Sequence, residues 1–178
     1  MHLGVRRRRA QDERMDLPPA SLLHLPEEAR ARDEHFMALA LREAAAAGER
    51  GEVPVGAVYV LGARILARAS NRCEELADPT AHAEMLGLTE ACSVLEIGRL
   101  TDVVVYTTLE PCFMCAGALL HARVARIVFA ARDPKFGACG SLANLPSDRR
   151  LNHRCPVTEG IYADIAGELM RQFFRARR

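Results

Sequence analysis

The sequence of 178 residues has no apolar run long enough to span a membrane, so a transmembrane helix is excluded as an organising element. No charged segment followed by a short apolar stretch opens the chain, which argues against secretion. Lysine is almost missing. Of 24 basic residues only Lys135 is a lysine, and so uniform a preference for arginine reads as compositional bias more than as selection for phosphate-gripping forks. An overall excess of one charge is also missing, the formal net charge being +1. There is no second C-x-x-C beside Cys112 and Cys115, which argues against a four-cysteine structural site. Cys73, Cys92, Cys139 and Cys155 lack ligand spacing and read as small buried or half-exposed thiols. Disulfides are not called for, and a reducing, cytoplasmic compartment is the simpler expectation. What remains is one domain, with enough chain to bury a core.

The positive signal is a pair of motifs. His82-Ala83-Glu84 is followed about thirty residues later by Pro111-Cys112-Phe113-Met114-Cys115. One imidazole and two thiolates supply three ligands for a tetrahedral zinc and leave the fourth place for water, the mark of a catalytic rather than a structural site. Glu84 is not needed as a ligand and is placed to carry protons. A C-x-x-C alone is often a redox pair or half of a structural zinc site, and a lone His-x-Glu carries no signal. Jointly, each at a predicted helix start, they form a specific pattern.

The flanking residues say how these groups can meet. Val103–Thr108 is β-branched and reads as a buried strand. Pro111 suits the first helical position after it. Asp78-Pro79-Thr80 reads as a capping segment for a helix over Ala81–Leu95. In mid-helix, residues two apart point away from each other. His82 and Glu84 therefore converge only if the metal lies off the helix end. The expectation is two helix N-termini facing one zinc, where the partial positive charge favours thiolates.

Residues 1–32 differ from the rest. An arginine run at 6–9, Pro18-Pro19 and Pro26 interrupt any periodicity, and a disordered extension is expected. Residues 33–178 read as a single domain. Helix is predicted over Asp33–Ala47 with Gly48 ending it, strand over Val53–Val60, and a hairpin partner over Ile65–Ser70 after a turn at 61–64. Beyond the two zinc helices come a strand at Ala125–Ala130, a Gly-containing loop from Asp133 to Gly140, a short strand near Pro156–Thr158 and a helix over Tyr162–Arg175. The order α-β-β-α-β-α-β-β-α fits a three-layer α/β/α sandwich on a five-stranded mixed sheet. Charge divides along the chain. From Asp33 to Leu120 there are six arginines against thirteen acids; from His121 to Arg178, eleven basic residues against five acids. The basic part is either a phosphate-binding surface or a solvated face.

The motifs together resemble those of the cytidine-deaminase-like zinc deaminases, and more narrowly the bacterial tRNA adenosine deaminase family, which makes inosine at the wobble position. The likeness extends beyond the metal motif to Glu52-Val53-Pro54-Val55-Gly56, Asn71-Arg72, Thr108-Leu109-Glu110-Pro111-Cys112, Ala131-Arg132-Asp133-Pro134-Lys135, Asn152-His153-Arg154 and Phe173-Phe174-Arg175. It implies a cytidine-deaminase-like fold and one zinc per subunit on His82, Cys112 and Cys115, with Glu84 as the proton shuttle. It implies that Asn71 hydrogen-bonds the purine, although by itself Asn71 reads equally as a strand-end cap. Asp133 and Lys135 would face the RNA beside the flipped base, Asp133 pairing with a ribose hydroxyl or a main-chain N–H. Phe174 and Arg175 would lie along the tRNA anticodon stem-loop, with core packing as the alternative for one of the two phenylalanines. A homodimer is implied as well. Two positions depart from the family pattern: Phe136 stands where a small residue is usual, and Phe113 is bulky between the cysteines.

Two other functions fit parts of this pattern. A free-base or nucleoside deaminase shares the metal motif but has no need of the basic C-terminal part or the Asp133 loop. A catalytically silent zinc protein that binds RNA has no need of Glu84.

Overall fold

The computed structural model describes residues 26–177. Its first helix, α1, runs over Pro26–Glu49, beginning before the expected Asp33. Pro26 can open a helix because its missing N–H costs nothing there. Glu27 and Glu28 then face the positive end of the helix dipole, and Arg30 pairs with Glu34 one turn on at 2.8 Å. Residues 26–32, expected within a disordered extension, are thus the opening turns of α1. Residues 1–25 lie outside the described residues.

Five strands follow the expected order: β1 Gly56–Leu61, β2 Arg64–Ser70, β3 Val103–Leu109, β4 Arg126–Ala131 and β5 Val157–Glu159. They form one sheet in the order β2-β1-β3-β4-β5. β1 is antiparallel to β2 and β3, while β3, β4 and β5 run parallel. The strand expected from Val53 begins only at Gly56, because Pro54 has no N–H to give a ladder. Gly56 itself is required: a Cβ there would overlap the Ala40 carbonyl of α1.

The helices lie on both faces, as the alternation along each strand dictates. Tyr59, Val105 and Phe129 enter the core under α3 (Ala83–Leu95) and α4 (Phe113–His121). Val58, Tyr106 and Val128 enter a second core under α1 and α5 (Ala163–Arg175). The three-layer mixed-sheet architecture is the expected one. Among the described residues no helix is long and apolar enough to cross a membrane. A single helical turn, α2 (Cys73–Leu76), was not foreseen, being too short to show periodicity.

One buried polar cluster ties the layers together. Asp33 on α1 is 4% exposed. Its carboxylate accepts from the Tyr106 hydroxyl of β3 at 2.9 Å and pairs with Arg126 of β4, which also reaches Thr158 of β5 at 3.2 Å. Asp33 thus stands within α1 as an anchor to three strands, not at the helix start.

Candidate metal centre

His82 and Cys112 are the N-cap residues of α3 and α4. Both take extended backbone conformations there, so each side chain projects past its helix end. Pro111 therefore sits outside α4, one residue before the cap, and not at the first helical position. Asp78 caps a tight turn of its own, accepting from the Thr80 N–H at 2.8 Å and hydroxyl at 2.7 Å, and α3 begins at Ala83 rather than Ala81.

The consequence is convergence. The Nδ1 of His82 lies 3.8 Å from the Cys112 sulfur and 3.5 Å from that of Cys115, and all three donor atoms fall within 4.8 Å of one another. Hydrogen bonding from Cys115 pushes the Cys112 thiol down to about 4, with His82 adding to the effect against burial. The same hydrogen bond, together with burial, pushes Cys115 upward. Two sulfurs and an imidazole, with no carboxylate among them, are a soft donor set that fits zinc.

Glu84 lies in the first turn of α3, 4% exposed. Burial pushes its carboxyl up to about 7. Its Oε2 has no hydrogen-bond partner, an arrangement that costs stability and calls for a functional reason. The turn beneath it is pinned by Tyr59 of β1, whose hydroxyl donates to the Glu84 carbonyl at 2.5 Å. The Tyr59 ring fills the space a Cβ on Gly87 would need.

His82, Glu84 and Cys112 open into a pocket of about 550 Å³ shared with Asn71, Asp133 and Phe136. Asn71 is no strand-end cap. Its Nδ2 donates to Glu52 at 3.0 Å, which also accepts from the N–H groups of Glu74 and Glu75. Beyond Phe136 the pocket continues into a cleft of about 860 Å³, lined by Lys135, Arg171, Phe174 and Arg175 among others. Phe174 is 48% exposed there, while Phe173 is half-buried under the Arg177 guanidinium at 3.7 Å. Arg171 and Arg175 both pair with Glu168, so the basic surface is weaker than the residue count suggests.

Two carboxylates with no role assigned from sequence organise this site. Glu52 holds Asn71. Glu110 is 1% exposed and accepts from the N–H groups of Asp133 (3.0 Å), Cys139 (3.0 Å) and Ser141 (2.9 Å), and from the Ser141 hydroxyl. Burial would raise its pKa, but these hydrogen bonds outweigh burial and hold it below the usual carboxylate value. A sequence signal existed, in that both residues stand inside conspicuous motifs, but their partners are distant in the chain.

A model of the MafB19-like deaminase family matches residues 31–178. The tRNA-specific adenosine deaminase of Bacillus subtilis (strain 168) is 46% identical over 147 residues, spanning 83% of this chain and 91% of that protein. Its counterpart in Agrobacterium fabrum is 47% identical, spanning 83% and 97%. A solved structure from studies of A-to-I editing by tRNA:A34 deaminases at the wobble position superposes with a TM-score of 0.73 at 47% identity, over 76% of this chain and 98% of that one. A guanine deaminase from Nitrosomonas europaea superposes at 0.66 with 27% identity, over 79% and 83%. With the candidate metal donors, the buried glutamate and the matching sheet in place, the chain belongs to the MafB19-like deaminases and, among them, to the bacterial tRNA-specific adenosine deaminases.

Proposed function

We propose that the protein hydrolytically deaminates adenosine to inosine at the wobble position of tRNA anticodon loops, using one zinc ion held by His82, Cys112 and Cys115. The observation that carries this reading is the convergence of those three donors beside a buried glutamate with a free carboxylate oxygen, in a chain 46–47% identical to tRNA-specific adenosine deaminases. When bound, zinc supplies Lewis acidity that brings the acidity of water near neutrality.

Glu84 does the proton work. Its Oε2 accepts a proton from the attacking water and delivers it to N1 of the purine. Water oxygen bonds to C6, and the C6–N6 bond then breaks. The carboxyl passes the second water proton to the leaving amine, so ammonia departs and the carbonyl of inosine remains. Asn71, its amide held by Glu52, keeps one N–H for the base edge, while its carbonyl oxygen accepts from the Cys73 thiol at 3.5 Å and has a second lone pair to offer. Asp133, Lys135, Phe174 and Arg175 border the path of the RNA. The target base must leave its stack, which costs least in a single-stranded loop.

The guanine deaminase likeness supports a second reading, deamination of a free purine base. The cleft of about 860 Å³ beyond Phe136, with Lys135 on its lining, favours RNA, because a small base has no use for so extended a surface. Incubation with an anticodon stem-loop carrying wobble adenosine, and separately with guanine, cytosine and adenosine, decides between them. Inosine in the RNA and no ammonia from the small molecules is expected; the reverse pattern sinks the editing assignment.

We also propose that the enzyme is a cytoplasmic homodimer. All six cysteines are free thiols, in keeping with a reducing compartment. Phe113 on α4 is 48% exposed, as suits a large apolar side chain covered by a second copy. Sedimentation is expected to give twice the chain mass, and a monomer at micromolar concentration would refute it.

A further inference from the structure

The geometry points to Phe136 as a stacking platform for a nucleobase next to the reacting adenosine, and hence as a determinant of RNA-context preference. This rests on the reading of the protein as a deaminase of adenosine within RNA. Phe136 is 65% exposed, more than any other large hydrophobic side chain among the described residues. It borders both the inner pocket with His82 and Glu84 and the outer cleft with Lys135 and Phe174. A strand whose reacting base lies in the pocket and whose flank enters the cleft runs along the border the two share, where Phe136 stands with Val53, Leu109 and Asp133.

The ring stands on a rigid mount. The Asp133 carboxylate accepts from the N–H groups of Lys135 at 2.9 Å and Phe136 at 3.3 Å, and the Gly137 N–H donates to the Asp133 carbonyl at 2.9 Å. The Asp133 N–H is held in turn by Glu110. Gly137 cannot be replaced without collision, since a Cβ would strike the Glu110 carboxylate. Gly137 also bridges to Cys112, and the Ala138 N–H donates to the Pro111 carbonyl at 2.9 Å. The turn that presents Phe136 is therefore stitched to the segment that carries a metal ligand.

An apolar ring held in water on a fixed turn gains by being covered, and a ring without hydrogen-bonding groups accepts any base face. The neighbouring cleft brings Arg132, Lys135, Arg171 and Arg175 to its lining; Arg132 pairs with Glu159 and Arg171 and Arg175 with Glu168, which leaves Lys135, next to Phe136, as the cation there with no acid pair among the described residues. A cation beside an exposed ring, with polar side chains around it, suits a nucleic-acid strand better than an apolar protein segment.

The test is steady-state kinetics on a stem-loop carrying wobble adenosine. Phe136→Ala is expected to raise KM about 5- to 100-fold with kcat little changed, and Phe136→Tyr to stay near wild type. The same proteins are then assayed on stem-loops with an abasic site immediately 5′ or 3′ of the adenosine. Stacking requires that one of these raises the wild-type KM by a similar factor yet leaves Phe136→Ala unaffected. Independent penalties at both positions, a loss confined to kcat, or an alanine variant equal to wild type would overturn the assignment while leaving RNA editing intact. Failure of the wild-type protein to act on the unmodified stem-loop would instead remove the reading on which it rests.

Discussion

Glu84→Ala is expected to retain a full complement of zinc and to lose deamination by about 10³-fold or more, the scale of a positioned acid–base group. The metal should stay because the carboxylate is outside the donor set: His82, Cys112 and Cys115 converge without it. The local backbone should also stay. Tyr59 bonds the main-chain carbonyl of residue 84, not its side chain, so the first turn of α3 keeps its anchor. Stability should change little, because the variant loses packing but also removes a buried oxygen that has no partner. Metal analysis, turnover on the stem-loop and a melting curve check all three. Near-normal turnover would sink the proton-shuttle role, and loss of zinc together with activity would make Glu84 part of the metal site.

The second large effect falls on folding. Asp33→Asn is expected to destabilise the protein by about 3 kcal/mol, the low end for breaking a buried ion pair. The low end applies because Arg126 is 28% exposed at its side chain and can recover some hydration, whereas Asp33 is 6% exposed. For a domain of this size that corresponds to a fall in melting temperature of roughly 6–12 °C. The cost is the Arg126 charge left without its partner and a weakened bond from the Tyr106 hydroxyl. Because the cluster joins α1 to β3, β4 and β5, the loss should appear as one cooperative shift. Urea or thermal unfolding measures it, and a change under 1 kcal/mol would refute the anchoring role. Residual activity at low temperature should be near normal, since no metal donor belongs to the cluster.

Glu84 and Asp33 differ in how far the chain alone reveals them. Glu84 could be picked out from the chain because its neighbours in sequence, His82 and the cap-forming residues before it, are also its neighbours in space. Asp33 could not. It read as the start of a helix, and only the packing of α1 across the sheet brings it to Tyr106 and Arg126, 73 and 93 residues away. Helix and strand bodies were legible for a similar reason, since each is set by local periodicity. Their ends moved where a single residue decides: Pro26 extended α1, and Pro54 delayed β1.

The motif spacing alone pointed to a three-ligand metal site with a spare carboxylate, and the surrounding segments to the family. Metal donors of fixed chemistry at helix caps need only local backbone geometry, which short stretches of sequence encode. The tertiary structure decided the rest of the site. It turned Asp133 into the cap of its own turn, gave Asn71 to Glu52, hung the Phe136 loop on Glu110, and paired Arg171 and Arg175 with Glu168. A buried carboxylate is placed by donors far along the chain, and an arginine's free charge depends on which acid the fold puts within reach. Neither is a property of a residue and its immediate neighbours.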